Sequence, residues 1–256
     1  MATKQQREQA FHDAAYSEST RERVWGFYKA ARASRQAFRD ALAAEGLAGK
    51  RVLEYGSGAS AQAFFLASHG ARVTGIDISP VAVASGREHA ADVGLADHVA
   101  FEVMDAESLL FEDQSFDLVC GAGILHHLDL DRAYAEIARV LVPAGAAVFV
   151  EPLGHNPLIN AYRRRSPELR TPDEHPLLVG DLERARNYFR DVRFEFFHLA
   201  SLAAIPFRDR PAFGKLLSGL DAFDRRLFEL FPAIRRHAWM VLLRVREPSR
   251  SASTAL

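Results

Sequence analysis

The segment Arg51-Val-Leu-Glu54-Tyr-Gly56-Ser-Gly58 constrains this chain more than any other. It joins a short apolar run, an acid two residues before a glycine, and Gly-x-Gly. A strand that turns directly into a helix, with its backbone pressed against a ligand, leaves no room for side chains at the turn, so glycine stands there. The pattern predicts a strand over 51–55, a tight loop, and a helix over about 59–69, the loop cradling a nucleotide-type cofactor. Read on to Ala61, the stretch also satisfies Gly-x-Gly-x-x-Gly/Ala, and Asp77 follows about 20 residues on, where a ribose-binding acid belongs. The glycines alone do not choose a cofactor.

Glu54 narrows the choice. A pyrophosphate settling on the helix N-terminus would meet this carboxylate at the strand tip, and like charges repel strongly in a partly dry site. S-adenosylmethionine carries no phosphate. It brings a sulfonium and an ammonium group, both favoured by a nearby acid.

The rest of the chain alternates in the same manner. Strands are predicted over 72–76, 98–103, 116–121 and 145–151, with helices over 80–92 and 131–141 between them. Such alternation argues for a parallel sheet with helices on both faces. Ahead of it, residues 5–46 lack proline and space Phe11, Trp25, Phe27, Tyr28 and Phe38 among charges, predicting two amphipathic helices that cap the cofactor cleft, a region of residues 1–47. After Glu151 the rhythm breaks into a proline-rich segment, 152–180, too long for a plain connector and expected to carry function. A helix over 180–190, a strand over 192–199, a helical stretch over 201–235 and a last strand over 238–246 follow, and a Ser- and Thr-rich tail over 248–256 is expected to be disordered.

Composition bounds the function. The net charge of -1 gives no global field for nucleic acid or anionic membrane, so neither is an expected partner beyond a local peripheral contact. The single Cys120 excludes an internal disulfide, the start Met-Ala-Thr-Lys-Gln-Gln-Arg lacks the apolar core of a signal peptide, and no run of about 18 apolar residues occurs. A soluble, cytoplasmic protein without a transmembrane segment is expected.

With these elements placed, the chain resembles the class I S-adenosylmethionine-dependent methyltransferases over about residues 48–247. Glu54-Tyr-Gly56-Ser-Gly58 looks like the family's first motif, with Ser60 where a third glycine is often found. Gly75-Ile-Asp77-Ile78-Ser79 looks like the end of the second strand, whose acid takes the ribose hydroxyls. Met104-Asp105-Ala106 looks like the segment that holds the adenine, and Ser115 to Gly121 like the fourth strand. Leu125-His126-His127-Leu128 and Arg139 to Gly145 resemble the subgroup containing ubiquinone and menaquinone methyltransferases. The resemblance implies a Rossmann-like seven-stranded sheet with the last strand antiparallel, and a cofactor site of Glu54, Gly56, Gly58, Asp77, Ile78, Asp105, Ala106 and Gly121.

Methyl transfer to a hydroxyl requires a proton acceptor titrating near neutrality, which favours histidine. His126 and His127 follow the fourth strand, and His155 and His175 lie in segment 152–180; His155 is the leading candidate, because that segment borders the expected acceptor pocket. Glu151 is placed to orient a histidine, to bond the acceptor, or to bind loop amides. Glu151, His155, Asp173 and His175 are weighed as metal ligands, but their spacing is not compact and no metal is expected. Arg163, Arg164, Arg165 and Arg170 suit an anionic acceptor. The apolar stretch 199–231, flanked by basic residues, suits a lipid-like one. The reading is O-methylation of a small molecule by a histidine base. Its alternatives are C- or O-methylation of a quinone- or lipid-like acceptor, a non-catalytic cofactor-binding module, and a nicotinamide-dependent oxidoreductase, which Glu54 and the lack of a Tyr-x-x-x-Lys pair disfavour.

Overall fold

A computed structural model of the chain describes residues 3–17, 29–58, 61–166 and 174–249. The predicted helix–strand order is present almost throughout. Strands β1 (Arg51–Tyr55), β2 (Arg72–Asp77), β3 (Val99–Val103), β4 (Phe116–Ala122), β5 (Leu141–Pro152), β6 (Phe189–Phe197) and β7 (Met240–Pro248) form one sheet in the order β3-β2-β1-β4-β5-β7-β6. The first five run parallel, and β7 lies antiparallel between β5 and β6. Successive residues of the central strands serve opposite cores: Val52, Leu118 and Cys120 join one apolar cluster, Leu53, Tyr55 and Val119 the other.

Helices α1 (Lys4–Ser17), α2 (Arg32–Ala43), α3 (Ala61–Ser68), α4 (Pro80–Asp92), α5 (Leu130–Val140), α6 (Pro157–Arg165), α7 (Val179–Glu183) and α8 (Phe213–Leu230) surround the sheet. Phe38 and Leu42 of α2, Leu66 of α3 and Val83 of α4 fill one core; Tyr134 and Ile137 of α5 and Leu182 of α7 fill the other. Local chemistry sets the boundaries. Ser79 caps α4 through a bond from the Ala82 amide, with Pro80 in the first turn, and Asp129 caps α5.

Three segments differ from expectation. Asn156 accepts the amides of Leu158 and Ile159 and Pro157 takes the first helical position, so α6 forms inside a segment that its prolines suggest is a loop. The strand expected over 145–151 begins earlier, as β5 at Leu141, and an irregularity inside it shifts register between the pairings of Phe116 and Leu118. The helix expected over 180–190 is α7 followed by a short 3-10 turn, because β6 begins already at Phe189. Of the two N-terminal helices, Trp25, Phe27 and Tyr28 lie outside the described residues, as does the tail over 250–256. No helix of the described residues is long and apolar enough to cross a membrane.

Cys120 is wholly buried in β4, and burial, aided by the Glu54 charge, pushes its thiol well above the ordinary range. The native protein is therefore expected to be inert to Ellman's reagent, and to release one equivalent of thiol only in guanidinium chloride, checked by absorbance at both conditions.

Candidate functional site

The sheet order reverses between β1 and β4, so a crevice opens beyond their C-terminal ends, where open α/β sheets take ligands. Two cavities occupy it. The first is lined by Gly56, Ile76, Asp77, Ile78, Met104, Asp105 and Ala106 from the ends of β1, β2 and β3, by Ala122 and Gly123 after β4, and by Lys4, Gln5, Glu8 and His12 of α1.

Each lining element has a local cause. Gly56 adopts φ +60°, and a Cβ there would stand 2.8 Å from Ile124, so the turn tolerates no side chain. The Asp77 carboxylate accepts the Gly58 amide at 2.8 Å through Oδ2 and the Ser79 amide at 2.9 Å through Oδ1, fastening the glycine loop to the end of β2. Asp105 holds its own turn by accepting the Glu107 amide. Ser79 donates to Asp13 and so also ties α1 to the start of α4.

Glu54 lines neither cavity; it is 5% exposed, paired in the sheet beside Gly75 and Cys120. Gly58 and Gly121 likewise stand behind the lining. At Gly121 a Cβ would meet Ile124 and Phe149, so this glycine serves close packing under the floor.

The second cavity, about 480 Å³, adjoins the first, and His12, Ala122, Gly123 and His127 line both. Its walls are mostly apolar, with Phe11, Val150, Ile159, Trp239 and Met240, and its polar groups include His126, Glu174, Arg35 and Arg163. Its size falls within the range of about 300–1,000 Å³ typical of small-molecule sites.

Glu151 is fully buried and takes two of the roles foreseen for it together. Its Oε1 accepts the amides of Ile124 and Leu125, both at 2.9 Å, and its Oε2 stands 2.8 Å from His126 Nδ1. One carboxylate thus shapes the turn after β4 and fixes the His126 ring, turning Nε2 toward Glu174, 3.8 Å away. His127 lies against α1, its Nδ1 3.2 Å from Glu8, and burial lowers this imidazole from its usual value, with Glu8 partly offsetting the effect.

His155 is not brought to the site. Its Nε2 accepts the Val179 amide at 3.5 Å and its carbonyl faces His237, and it lines neither cavity, because α6 turns the chain away directly after it. His175 donates its amide to the His126 carbonyl. Of the residues weighed as metal ligands, Glu151 is committed to the turn and His126, and Asp173 lies outside the described residues. Arg163 is half-buried at the second cavity, where it donates to the Leu153 carbonyl and Asn160; Arg164 and Arg165 are exposed, and Arg170 is not among the described residues.

An amphipathic N-terminal helix over the cleft is expected from the sequence, but its lining side chains are not: Lys4, Gln5, Glu8 and His12 are polar residues on a helix with little apolar periodicity, and only their partners in space reveal them. Trp239 and Met240 enter the second cavity from the start of β7, whereas none of the described residues of 200–236 lines either cavity.

Residues 53–149 match the family described as Methyltransferase domain. Among curated proteins, the chain is 37% identical over 131 residues to a probable chloroplastic tocopherol O-methyltransferase of Oryza sativa subsp. japonica, covering 50% of this chain and 34% of that one. It is 34% identical over 113 residues to the ubiquinone biosynthesis O-methyltransferase of Pseudomonas aeruginosa, covering 44% and 48%. The matched region thus spans about a third to a half of these relatives. Among solved structures, geranyl diphosphate C-methyltransferase of Streptomyces coelicolor A3(2), in complex with Mg2+, geranyl diphosphate and S-adenosyl-L-homocysteine, superposes with TM-score 0.61 at 15% identity over 83% of this chain and 79% of that one. Phosphoethanolamine N-methyltransferase 2 of Haemonchus contortus, in complex with S-adenosyl-L-methionine, superposes with TM-score 0.58 at 21% identity over 79% and 49%. These likenesses show a Rossmann-like methyltransferase fold.

Proposed function

We propose that this chain, whose residues 53–149 match the methyltransferase-domain family, is an S-adenosylmethionine-dependent enzyme that methylates a hydroxyl of a small molecule, with His126 as general base. The observation that carries the reading is the pair of cavities sharing the Ala122-Gly123 wall, one bounded by the glycine turn with Asp77 and Asp105 at the strand ends, the other by apolar side chains and a histidine held by a buried carboxylate.

The residues present fit the cofactor. The turn at Gly56 leaves the backbone bare, Asp77 lies where ribose hydroxyls would be accepted, and Asp105 with Ile78 and Ala106 borders the place for adenine. Glu54 adds negative charge behind the loop, which favours a cationic donor over a pyrophosphate. The bound cofactor supplies an activated methyl group. With the cofactor held by the residues of the first cavity and an acceptor by those of the second, the chain would keep the two side by side. It also receives the hydroxyl proton: the Nδ1 hydrogen of His126 is engaged by Glu151, which leaves Nε2 the lone pair to accept it. Helices α1 and α2 act as a cap, and Ile159, Tyr162, Arg163 and Glu174 supply acceptor contacts.

A quinone- or lipid-like acceptor is the second reading. It is supported by the apolar walls of the larger cavity, by the tocopherol and ubiquinone relatives, and by Phe223, Leu230 and Phe231, which are more than half exposed along and just after α8. Flotation of the chain with liposomes would support contact at that surface, and its absence would restrict the acceptor to soluble molecules.

The test is calorimetry against S-adenosylhomocysteine and NADH, followed by methyl transfer to a panel of phenols and hydroxylated aromatic acids. Micromolar binding of S-adenosylhomocysteine alone is expected. In the transfer assay His126→Ala should lower kcat by about 100-fold or more with cofactor affinity retained, and His155→Ala should change it less than about twofold. NADH binding in its place would overturn the reading, and cofactor binding without transfer to any acceptor would make the chain a non-catalytic module.

A further inference from the structure

We infer that Glu8, His12 and His127 form a binding site for a divalent cation of the zinc type, which fastens α1 to the C-terminal edge of the sheet. The inference does not rest on methyl transfer. It starts from donor atoms: Glu8 Oε2 lies 3.5 Å from His12 Nε2 and 3.2 Å from His127 Nδ1, and all three donors fall within 4.8 Å of one another. Ligands at about 2.0–2.2 Å from a tetrahedral zinc are separated from each other by about 3.3–3.6 Å. Two of the separations are therefore already near the spacing of zinc ligands, and the two imidazole nitrogens, within 4.8 Å, need approach by no more than about 1.5 Å to complete it.

The sequence builds this arrangement simply. Glu8 and His12 are four residues apart on α1 and so share a face. His127 reaches them from the 3-10 turn after β4, its ring edge-on to that of His12 at 5.5 Å between centroids. The side chains of Glu8 and His127 are only 7% and 12% exposed, and His12 is 29% exposed, so the donors are partly dry yet open to an entering ion. His127 Nδ1 is buried and makes no well-aligned hydrogen bond with any described residue; Glu8 beside it is an ion-pair contact. Two imidazoles with one carboxylate favour zinc and its transition-metal neighbours over calcium or magnesium, which prefer oxygen.

A neighbouring set, His126, His127 and Glu174, shares one ligand with this one and fits less well. His126 Nδ1 is held by Glu151, and its Nε2 stands 3.8 Å from Glu174. Because His12 and His127 line both cavities, a cation bound among Glu8, His12 and His127 lies where the cavities meet and ties the N-terminal helix to both.

The experiment uses the full chain without an affinity tag, stripped with EDTA, and titrated with Zn2+ alone by calorimetry, with Mg2+ as comparison. One equivalent of Zn2+ is expected to bind at micromolar or tighter affinity, Mg2+ far more weakly, and Zn2+ should raise Tm. Glu8→Gln, which keeps the side-chain shape, and His12→Ala should each weaken Zn2+ binding at least tenfold and abolish the rise in Tm. Glu174→Gln and His69→Ala, at an exposed histidine, should leave both unchanged. Melting curves without metal identify any variant that fails to fold, and Glu8→Gln then decides. Absence of Zn2+ binding by the wild-type chain, binding undiminished in Glu8→Gln and His12→Ala, or a loss confined to Glu174→Gln would each overturn the assignment.

Discussion

Asp77→Ala is expected to weaken binding of S-adenosylhomocysteine by at least about 100-fold, which corresponds to about 2.7 kcal/mol. Two losses combine. The first is the acceptor for ribose hydroxyls, since charged hydrogen bonds contribute about 1.5–3 kcal/mol each. The second is internal: the same carboxylate accepts the amides of Gly58 and Ser79, and so holds the glycine turn and the start of α4 in register with β2. Without it these buried donors lose their partner and the cradle loosens before any ligand arrives. Asp77→Asn should fall between wild type and Asp77→Ala, because an amide oxygen replaces only one of the two acceptors. Calorimetry gives the affinities and thermal melting gives the structural share; an Asp77→Ala chain that binds as the wild type does would remove Asp77 from the cofactor site.

Glu151→Gln should lower kcat for methyl transfer by about 100-fold or more while changing cofactor affinity little. The side chain is fully buried and divides its oxygens between the Ile124 and Leu125 amides on one side and His126 on the other. Glutamine can keep the acceptor facing the amides, but it places a neutral NH2 against Nδ1. The imidazole then loses the partner that fixes its orientation and stabilises its protonated form. Glu151→Ala is a different experiment. It would leave two buried amides unsatisfied, at about 1–3 kcal/mol each, so a fall in Tm should accompany the fall in rate. The informative readout separates kcat from KM: in Glu151→Gln kcat should fall while KM, cofactor affinity and Tm stay near those of wild type. A rate identical to wild type would remove the Glu151–His126 pair from the reaction.

Much of this was legible in the chain because it depends on neighbours in sequence. The burial of Val52, Leu53 and Tyr55 follows from an apolar run between turn signals, and the nakedness of the turn follows from Gly56 and Gly58. Asp77 and Asp105 were visible through spacing and resemblance, and both line the first cavity. What stayed hidden depends on distance in sequence. Nothing near His126 announces that a carboxylate 25 residues later holds its ring, and nothing near His155 announces that its ring will face the Val179 amide. Helix α6 was masked because Asn156-Pro157 serves equally as a turn and as a cap with its first helical residue. The walls supplied by α1 were masked by its polar composition, which reads as a solvated surface until His127 and the ends of β2 and β3 are set beneath it.

The place of β7 in the sheet bears on when the fold can be completed. Among the described residues it is the last of the seven strands to leave the ribosome, yet it lies inside the sheet, pairing β6 on one side and β5 on the other. Strands β1 to β5 and their helices can assemble as synthesis proceeds, but β6 has no ladder to join until β7 has emerged. Until then Val148 and Val150 stand on an open edge, the kind of surface that recruits stray strands. Trp239 and Met240 arrive with β7, so the wall of the larger cavity is also the last to be built, and a chain released early would hold the first cavity while the second stood open.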